Sequence, residues 1–286
     1  MKVILADVLG YCMGVRRAID AALKCLETNK DFPVYSLGPL IHNNTTLSYL
    51  AEKGLNILTE DEIPHIEENS VVIIRAHGVP PAILEQLEKR KCTVINATCP
   101  RVLASQKNAE KFAKEGFSII LAGDKNHGEV SGIAGYAGNA FSLIQTISEA
   151  EEFDASTIRE NALLLSQTTF SPDEFEKIAK ILQKKIKNLK ILNTICPATV
   201  ERQNALLKLC PNVDGVIVAG GKNSANTKRL LLSAKEHCPN AVLIESPEEI
   251  PEQFFKLQRV GITAGASTPD SIILSVKKKL EESSSC

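Results

Sequence analysis

The chain has 286 residues, of which 44% are hydrophobic and 23% are charged, and this length allows one to three domains with ample cores. Its net charge of −1 excludes a broad positive electrostatic field that could bind nucleic acid or an anionic membrane. Trp is absent and only 5% of residues are aromatic, so few side chains could stack on nucleic-acid bases. No signal peptide is predicted, and the longest apolar runs are too short to cross a bilayer. We therefore expect a cytoplasmic protein whose eight cysteines serve metal binding, catalysis or packing.

Short β-branched runs alternate with helical stretches along the whole chain. The runs that predict strands lie at 2–6, 71–75, 92–96, 117–122, 162–166, 190–193, 215–219 and 259–263. Segments with a 3.6-residue period predict helices between them, at 80–90, 100–115, 172–187 and 269–281. This alternation predicts an α/β fold in which parallel sheets are covered by helices.

A shift of 97 residues aligns the middle third of the chain with the last third, in one register without gaps. The matching pairs are Asn96 with Asn193, Cys99 with Cys196, Pro100 with Pro197, Gln106 with Gln203, Ala122 with Ala219, Gly123 with Gly220, Lys125 with Lys222, Asn126 with Asn223, Pro172 with Pro269, and Asp173 with Asp270. The first third follows the same plan less closely, with a strand that ends in GYC at 10–12.

We therefore expect three similar α/β domains with small, mostly parallel sheets. Their predicted limits are 14–98, 99–195 and 196–281, the third joined by an N-terminal strand at 1–13, with a flexible tail at 282–286. In open parallel sheets, ligands collect at the carboxyl ends of the strands. Three such edges facing one another would enclose a single central site.

Three cysteines, Cys12, Cys99 and Cys196, lie where a predicted strand gives way to a helix. A helix start favours a thiolate, and three convergent thiolates suit a 4Fe–4S cluster with one iron left open to a substrate oxygen. Two alternatives stay open, namely burial of free cysteines as apolar residues and a structural zinc site of three Cys and one His, although no CxxC pair occurs. The remaining cysteines are assigned to burial: Cys25, Cys92, Cys210, Cys238 and Cys286.

Polar loops follow the strands at 42–44, 76–78, 123–130, 166–169, 220–226 and 265–267. Three of the five histidines, His42, His77 and His127, lie in these loops, whereas His65 and His237 are expected at the surface. Imidazoles, hydroxyls, a carboxamide and glycine-rich backbone at helix starts together predict an anion pocket.

Glu129 follows His127 by two residues and allows two interpretations. At a helix start, a glutamate is usually a surface residue that stabilises the helix dipole. In a pocket filled by an anion, like-charge repulsion would instead favour its protonated form, which suits a proton donor.

Eight motifs occur in an order that resembles one known family. They are GYCMGVRRA, AHGV, ATCP, HGEVSG, SQTT, ICPAT, GKNSANTKRL and TAGASTPD, and together they cover nearly the whole chain. In this order they are similar to the 4-hydroxy-3-methylbut-2-enyl diphosphate reductases, iron–sulfur enzymes that complete the methylerythritol phosphate route to isoprenoids.

The resemblance implies a pseudo-threefold trefoil of the three α/β domains around a central 4Fe–4S cluster. Cys12, Cys99 and Cys196 would hold this cluster and leave one iron without a protein ligand. The substrate hydroxyl would meet that iron and leave as water after two electrons and protons arrive, giving isopentenyl and dimethylallyl diphosphates. Reduced ferredoxin or flavodoxin would supply the electrons.

The resemblance also implies roles for the loop residues. Glu129 matches the acid of a proton relay and Thr168 matches a threonine near the substrate hydroxyl, so both are expected to be catalytic. Ala225 stands where many members carry a second serine, which leaves the hydroxyl contact to phosphate at that position open. The residues implied to bind the substrate are His42, His77, His127, Thr168, Ser224, Asn226 and Ser267.

Two other functions stay open from the sequence. A non-redox iron–sulfur dehydratase of the quinolinate synthase kind shares a three-part α/β fold and three cysteines, but its carboxylate substrate needs no Ser-x-Asn diphosphate loop. A non-catalytic electron carrier would enclose its cluster with four ligands, and no fourth cysteine occupies an equivalent position.

Overall fold

The computed structural model describes residues 1–282, in which twelve strands alternate with ten α-helices. The strands are β1 (Lys2–Leu5), β2 (Val34–Leu37), β3 (Leu55–Leu58), β4 (Val71–Ile74), β5 (Thr93–Asn96), β6 (Ser118–Ala122), β7 (Phe141–Ile144), β8 (Asn161–Ser166), β9 (Asn188–Ile191), β10 (Gly215–Ala219), β11 (Ala241–Ile244) and β12 (Arg259–Ala264). The helices are α1 (Met13–Thr28), α2 (Asn44–Glu52), α3 (Pro81–Lys89), α4 (Pro100–Lys114), α5 (Gly128–Ala137), α6 (Ile147–Glu152), α7 (Pro172–Lys185), α8 (Pro197–Leu209), α9 (Ala225–His237) and α10 (Asp270–Glu282).

The strands form three parallel four-stranded sheets that share one order. These sheets run β3-β2-β4-β5, β7-β6-β8-β9 and β11-β10-β12-β1. The third sheet takes its edge strand from the N-terminus, because Lys2 of β1 pairs with Arg259 of β12. The prediction of an α/β fold with small parallel sheets is confirmed.

The chain divides into two compact units. Unit 1 comprises 1–16, 42–48 and the residues from 197 onward, and it contains the sheet β11-β10-β12-β1. Unit 2 comprises 17–41 and 49–196, and it contains the other two sheets. The predicted limits of three domains and their trefoil arrangement stay predictions. Of the predicted tail at 282–286, only Glu282 lies within the described residues, as the last residue of α10.

Apolar side chains cover both faces of each sheet. In unit 1, Val216 and Val218 of β10 pack with α8 and α9, whereas the intervening Ile217 packs with α10 on the other face. In unit 2, every residue of β4 and β6 is buried. Burial on both faces explains why these strands are continuous apolar runs in the sequence. No helix within residues 1–282 is long and apolar enough to cross a membrane.

The structure corrects two details of the repeat. The strand before Cys12 ends at Leu5 and not in GYC, and seven residues follow it before α1, including Gly10 with a positive φ of 78°. The shift of 97 residues holds for the starts of β6 and β10 and of α5 and α9, but β11 begins three residues later than it requires. The reason is that α9 has 13 residues where α5 has 10.

Candidate active site

The three cysteines at strand–helix junctions share one backbone arrangement. Each directly precedes a helix and is partly exposed. The N–H of each donates to the carbonyl oxygen two residues beyond the end of the neighbouring strand: Cys12 to Ala266 at 2.9 Å, Cys99 to Ala76 at 3.0 Å and Cys196 to Thr168 at 2.8 Å. The three residues therefore occupy equivalent places at the carboxyl ends of the three sheets.

Asparagines hold two of these junctions in the same way. The side-chain oxygen of Asn96 accepts a hydrogen bond from the N–H of Thr98 at 3.0 Å, and that of Asn193 accepts one from the N–H of Ile195 at 3.0 Å. Such a turn places the next residue at the helix start. This contact gives the repeated asparagine a structural role, three residues before each cysteine.

The surroundings of the thiols separate two groups of cysteines. Cys12 is partly exposed, and its Sγ accepts a hydrogen bond from the N–H of Val15 in the first turn of α1 at 3.5 Å. By contrast, Cys25, Cys210 and Cys238 are buried, and burial raises the pKa of the Cys25 and Cys210 thiols, so these stay protonated.

Burial was predicted for two further cysteines. For Cys92 the prediction is wrong, because this residue lies just before the edge strand β5 and is only half-buried. Cys286 lies outside the described residues.

Unit 2 brings two of the predicted histidines together. His127 caps the start of α5, and its Nδ1 accepts a hydrogen bond from the N–H of Glu129 at 3.2 Å. A neutral imidazole with Nδ1 as acceptor carries its proton on Nε2, which makes that atom a donor for an anion. The His77 ring lies edge-to-face against the His127 ring, with 5.2 Å between centroids.

Glu129 and Thr168 form a buried pair. Their exposed fractions are 1% and 7%. One carboxylate oxygen of Glu129 accepts a hydrogen bond from the N–H of Thr168 at 2.7 Å, and the other accepts one from the Thr168 hydroxyl at 2.8 Å. The interpretation of Glu129 as a surface residue is therefore wrong. A buried carboxyl in contact with a hydroxyl can hold a proton and pass it on.

Gln167 is a residue of this region that the sequence interpretation missed. It is fully buried, its side-chain oxygen accepts a hydrogen bond from the N–H of Asp124 at 2.8 Å, and its Nε2 donates to the Thr169 hydroxyl at 2.8 Å. It thereby ties the loop that carries Thr168 to the loop that leads to His127. The one signal in the sequence was its place in the SQTT motif.

In unit 1, three polar loops meet at the backbone of His42. The Ser267 hydroxyl donates to the His42 carbonyl oxygen at 3.0 Å. Gly221 approaches the same carbonyl so closely that a side chain there would overlap it. The structure thus brings the loops of His42, of 220–226 and of Ser267 together.

The start of α9 presents two predicted ligand-binding residues. Ser224 caps the helix, and its hydroxyl oxygen accepts a hydrogen bond from the N–H of Thr227 at 3.4 Å. Asn226 is only 4% exposed, and its side-chain nitrogen has no hydrogen-bond partner among residues 1–282. A buried amide donor without a partner costs stability, so its retention points to a ligand with an acceptor group.

The turn before Cys12 is held by side chains that sequence reasoning also missed. The buried Arg202 donates through Nη2 to the Gly10 carbonyl oxygen at 2.7 Å. The Tyr11 hydroxyl lies 2.6 Å from that of Thr46, and burial raises the pKa of Tyr11. Both contacts join residues distant in sequence, so no local motif signals them.

Comparison with known proteins places this chain in one family. The LytB protein family model matches residues 3–281. The 4-hydroxy-3-methylbut-2-enyl diphosphate reductase of Treponema denticola is 49% identical over 99% of this chain and 100% of its own length. The protein of the same name from Treponema pallidum is 40% identical, over 96% of this chain and 82% of its own.

Two solved structures share the fold. The E-1-hydroxy-2-methyl-but-2-enyl-4-diphosphate reductase of Plasmodium falciparum has a TM-score of 0.90 and 29% identity, covering 98% of this chain and 87% of that chain. A structure of (E)-4-hydroxy-3-methyl-but-2-enyl diphosphate reductase, described as the terminal enzyme of the non-mevalonate pathway, has a TM-score of 0.70 and 39% identity, covering 99% of this chain and all of that one. These matches confirm the resemblance seen in the motifs, and the chain belongs to the LytB protein family.

Proposed function

We propose that this protein reductively removes the hydroxyl group of 4-hydroxy-3-methylbut-2-enyl diphosphate. Two electrons and two protons enter, the C–O bond breaks, and the oxygen leaves as water. The products are isopentenyl and dimethylallyl diphosphates, in the last step of the non-mevalonate route. Membership of the LytB family supports the reaction, and the observation that carries it is the buried pair of Glu129 and Thr168.

We assign Cys12, Cys99 and Cys196 as ligands of a 4Fe–4S cluster. Their equivalent places at helix starts and their partial exposure support this assignment, as does the burial of Cys25, Cys210 and Cys238. When bound, such a cluster supplies electrons and leaves one iron without a protein ligand to act as a Lewis acid. The residues present therefore fit the cluster that the resemblance implies.

Glu129 serves as the acid that delivers protons, and Thr168 connects it to the substrate. The Thr168 hydroxyl donates to Glu129, so its oxygen keeps lone pairs that can accept a hydrogen bond from the substrate hydroxyl. When Glu129 is protonated, its hydrogen bond with Thr168 reverses, so that the carboxyl O–H donates to the Thr168 oxygen and the Thr168 hydroxyl donates to the substrate oxygen. The Glu129 proton then moves to Thr168 as the Thr168 proton moves to the departing hydroxyl. Burial of both side chains excludes water that would compete for this proton.

The diphosphate is held by donors at the loop ends. His127 offers its Nε2–H because its Nδ1 is occupied by the N–H of Glu129. Asn226 offers a buried amide N–H with no described partner. Each charge-assisted hydrogen bond contributes about 1.5–3 kcal/mol. The full set of proposed substrate ligands is His42, His77, His127, Thr168, Ser224, Asn226 and Ser267.

The electrons come from reduced ferredoxin or flavodoxin, and the enzyme works in the cytoplasm. Reducing conditions there keep thiols free, which agrees with the absence of a disulfide among the cysteines of residues 1–282.

Anaerobic turnover tests this function directly. Protein reconstituted with iron and sulfide is mixed with the hydroxylated allylic diphosphate and a reduced viologen dye. We expect the dye to be oxidised as both products form. A protein that carries its full iron and sulfide but leaves dye and substrate unchanged would contradict the proposal.

A further inference from the structure

Arg75 is a charged residue beside the histidine loops for which the mechanism above has no use. It follows β4 directly and precedes His77 by two residues. The side chain is half-buried, and its Nε is fully buried without a hydrogen-bond partner in residues 1–282. No carboxylate within that described range forms an ion pair with it. Such a cation costs stability unless something compensates it.

The guanidinium packs between two glycines of unit 2. Its Nη1 would lie 2.5 Å from a Cβ atom added at Gly38, and its Nη2 would lie 3.0 Å from one added at Gly128. Gly128 is the first residue of α5 and lies between His127 and Glu129. The positive charge of Arg75 is therefore held against the start of the helix that carries both residues.

This place is electrostatically unfavourable for a cation. A helix start carries partial positive charge, which repels a guanidinium. Burial lowers the pKa of Arg75, and the charge of Glu60 acts in the opposite direction, but Glu60 is exposed and screened by water. Both carboxylate oxygens of Glu129 accept hydrogen bonds from Thr168. Arg75 thus keeps a positive charge that no carboxylate of residues 1–282 pairs with, and such a charge suits an anion.

The fold itself does not require a cation at this position. In each sheet one edge strand leads to a cysteine, and Arg75 is the first residue after β4, the strand next to such an edge strand. The equivalent residues in the other two sheets are Gln167, which follows β8, and Gly265, which follows β12. Both are neutral, and Gln167 has hydrogen-bond partners for its oxygen and its nitrogen. Arg75 therefore adds charge where the other two sheets show that a neutral residue suffices.

We propose that Arg75 is a positioning residue for the substrate diphosphate, whose positive charge at the start of α5 strengthens the hold of His77 and His127 on the anion. This inference rests on the proposed function. Without the anion, Arg75 destabilises the protein. The bound anion compensates this charge, so Arg75 lowers the stability of the free protein and raises its affinity for the diphosphate.

The variant Arg75→Met tests this by removing the charge while keeping an unbranched side chain. In the reconstituted enzyme we expect inorganic pyrophosphate to bind about tenfold more weakly by calorimetry, a loss equal to about 1.4 kcal/mol. The melting temperature without ligand should be unchanged or higher. In turnover, KM should rise by a similar factor with little change in kcat, and Arg75→Lys should retain most of the affinity.

Arg90→Met is the matched control. Arg90 is also half-buried in unit 2 with a buried Nε that lacks a described partner, but its Nη2 donates to the Ile66 carbonyl oxygen at 2.7 Å. Its replacement should lower the melting temperature and leave pyrophosphate binding unchanged.

Three results would overturn the inference, and they are distinguishable. Equal pyrophosphate affinity in wild type and Arg75→Met would show that the charge does not act on the anion, while the proposed function stands. A fall in melting temperature like that of Arg90→Met, with weaker binding in proportion, would make Arg75 a packing residue. A wild-type protein that does not bind pyrophosphate would remove the diphosphate site and the inference with it.

Discussion

The starts of α5 and α9 are built alike and carry different chemistry. His127 caps α5 and Ser224 caps α9, and each is followed two residues later by a buried polar side chain, Glu129 or Asn226. Glu129 accepts two hydrogen bonds from Thr168, whereas the amide nitrogen of Asn226 has no partner among the described residues. One position therefore offers an acid and its counterpart offers a donor.

Under the proposed function, the two copies of the repeated scaffold serve different parts of one reaction. In both copies the strand end and the helix cap fix the backbone, so the second helical residue has the same setting. In the proposed mechanism, the side chain at this position alone determines whether the helix start transfers protons or binds the anion. The cysteine that precedes the previous helix, Cys99 or Cys196, is common to both copies. The shared cysteine and the differing second helical residue can therefore be tested by separate substitutions.

The largest effect is expected where the copies agree. Cys99→Ser should remove all turnover and leave the cluster incomplete or lost, since this cysteine is a proposed iron ligand. Cys92→Ser, at the other end of the same edge strand, should keep its iron. Iron and sulfide analysis after anaerobic reconstitution measures both. If Cys25, Cys92, Cys210, Cys238 or Cys286 proved as necessary as the three ligands, the mechanism with one open iron would be wrong.

Replacing the acid of α5 should have the next largest effect on turnover. Glu129→Gln keeps the size of the side chain and can still accept from the Thr168 N–H, but it removes the proton. We expect the cluster and substrate binding to survive while turnover falls about 10²–10⁴-fold, the usual value of general acid catalysis. The spectral change of the cluster on substrate addition reports binding independently of turnover. A Gln variant with near-normal rate would show that Glu129 only holds the Thr168 loop in place.

Placing an acid at the same position in α9 sharpens the comparison. Asn226→Asp is nearly isosteric but replaces a donor with a carboxylate that repels the diphosphate. We expect KM to rise roughly tenfold to a hundredfold, as for a lost charge-assisted hydrogen bond. Asn223→Asp, the same change at an exposed position of the same loop, should leave KM within about twofold. Equal effects of the two variants would mean that only the charge of the loop matters.

The sequence predicted the parts of the molecule that have a local signal. The helices α3, α4, α7 and α10 agree with their predicted ranges to within about two residues, because their apolar faces repeat with the helical period. The proposed cysteine ligands came from the repeat and the motifs, and the motifs implied separate roles for Glu129 and Thr168, whose contact was not predicted. These signals need only a few neighbouring residues.

Other features depend on partners far along the chain. None of the runs that predicted strands covers β3, β7 or β11, which are four-residue edge strands with partly exposed side chains. Their pairing with β2, β6 and β10 defines them, and a short, half-exposed segment has no clear pattern of its own. Asn226 was predicted as a substrate ligand, but the sequence did not show that its amide nitrogen and the Nε of Arg75 lack hydrogen-bond partners, because a missing hydrogen bond is a property of the packed structure.

The smallest expected effect concerns the next residue of the same helix starts, Val130 in α5 and Thr227 in α9. The Thr227 side chain is fully buried against Gly265, and its hydroxyl has no hydrogen-bond partner in residues 1–282. Val130 has the same branched shape without the hydroxyl, so Thr227→Val copies into α9 what α5 already has. The helix cap survives, because Ser224 accepts from the backbone N–H of Thr227 and not from its side chain. Removing an unpaired buried hydroxyl should stabilise the protein by about 1 kcal/mol, or raise the melting temperature by about 2–4 °C.

The control is Thr268→Val. The buried Thr268 hydroxyl donates to the Ala219 carbonyl oxygen at 2.9 Å, so its removal should lower the stability by a similar amount. Thermal unfolding of both variants at one scan rate gives the comparison. If Thr227→Val were as destabilising as Thr268→Val, the hydroxyl would have a partner that the fold alone does not reveal, and α9 would differ from α5 at two positions.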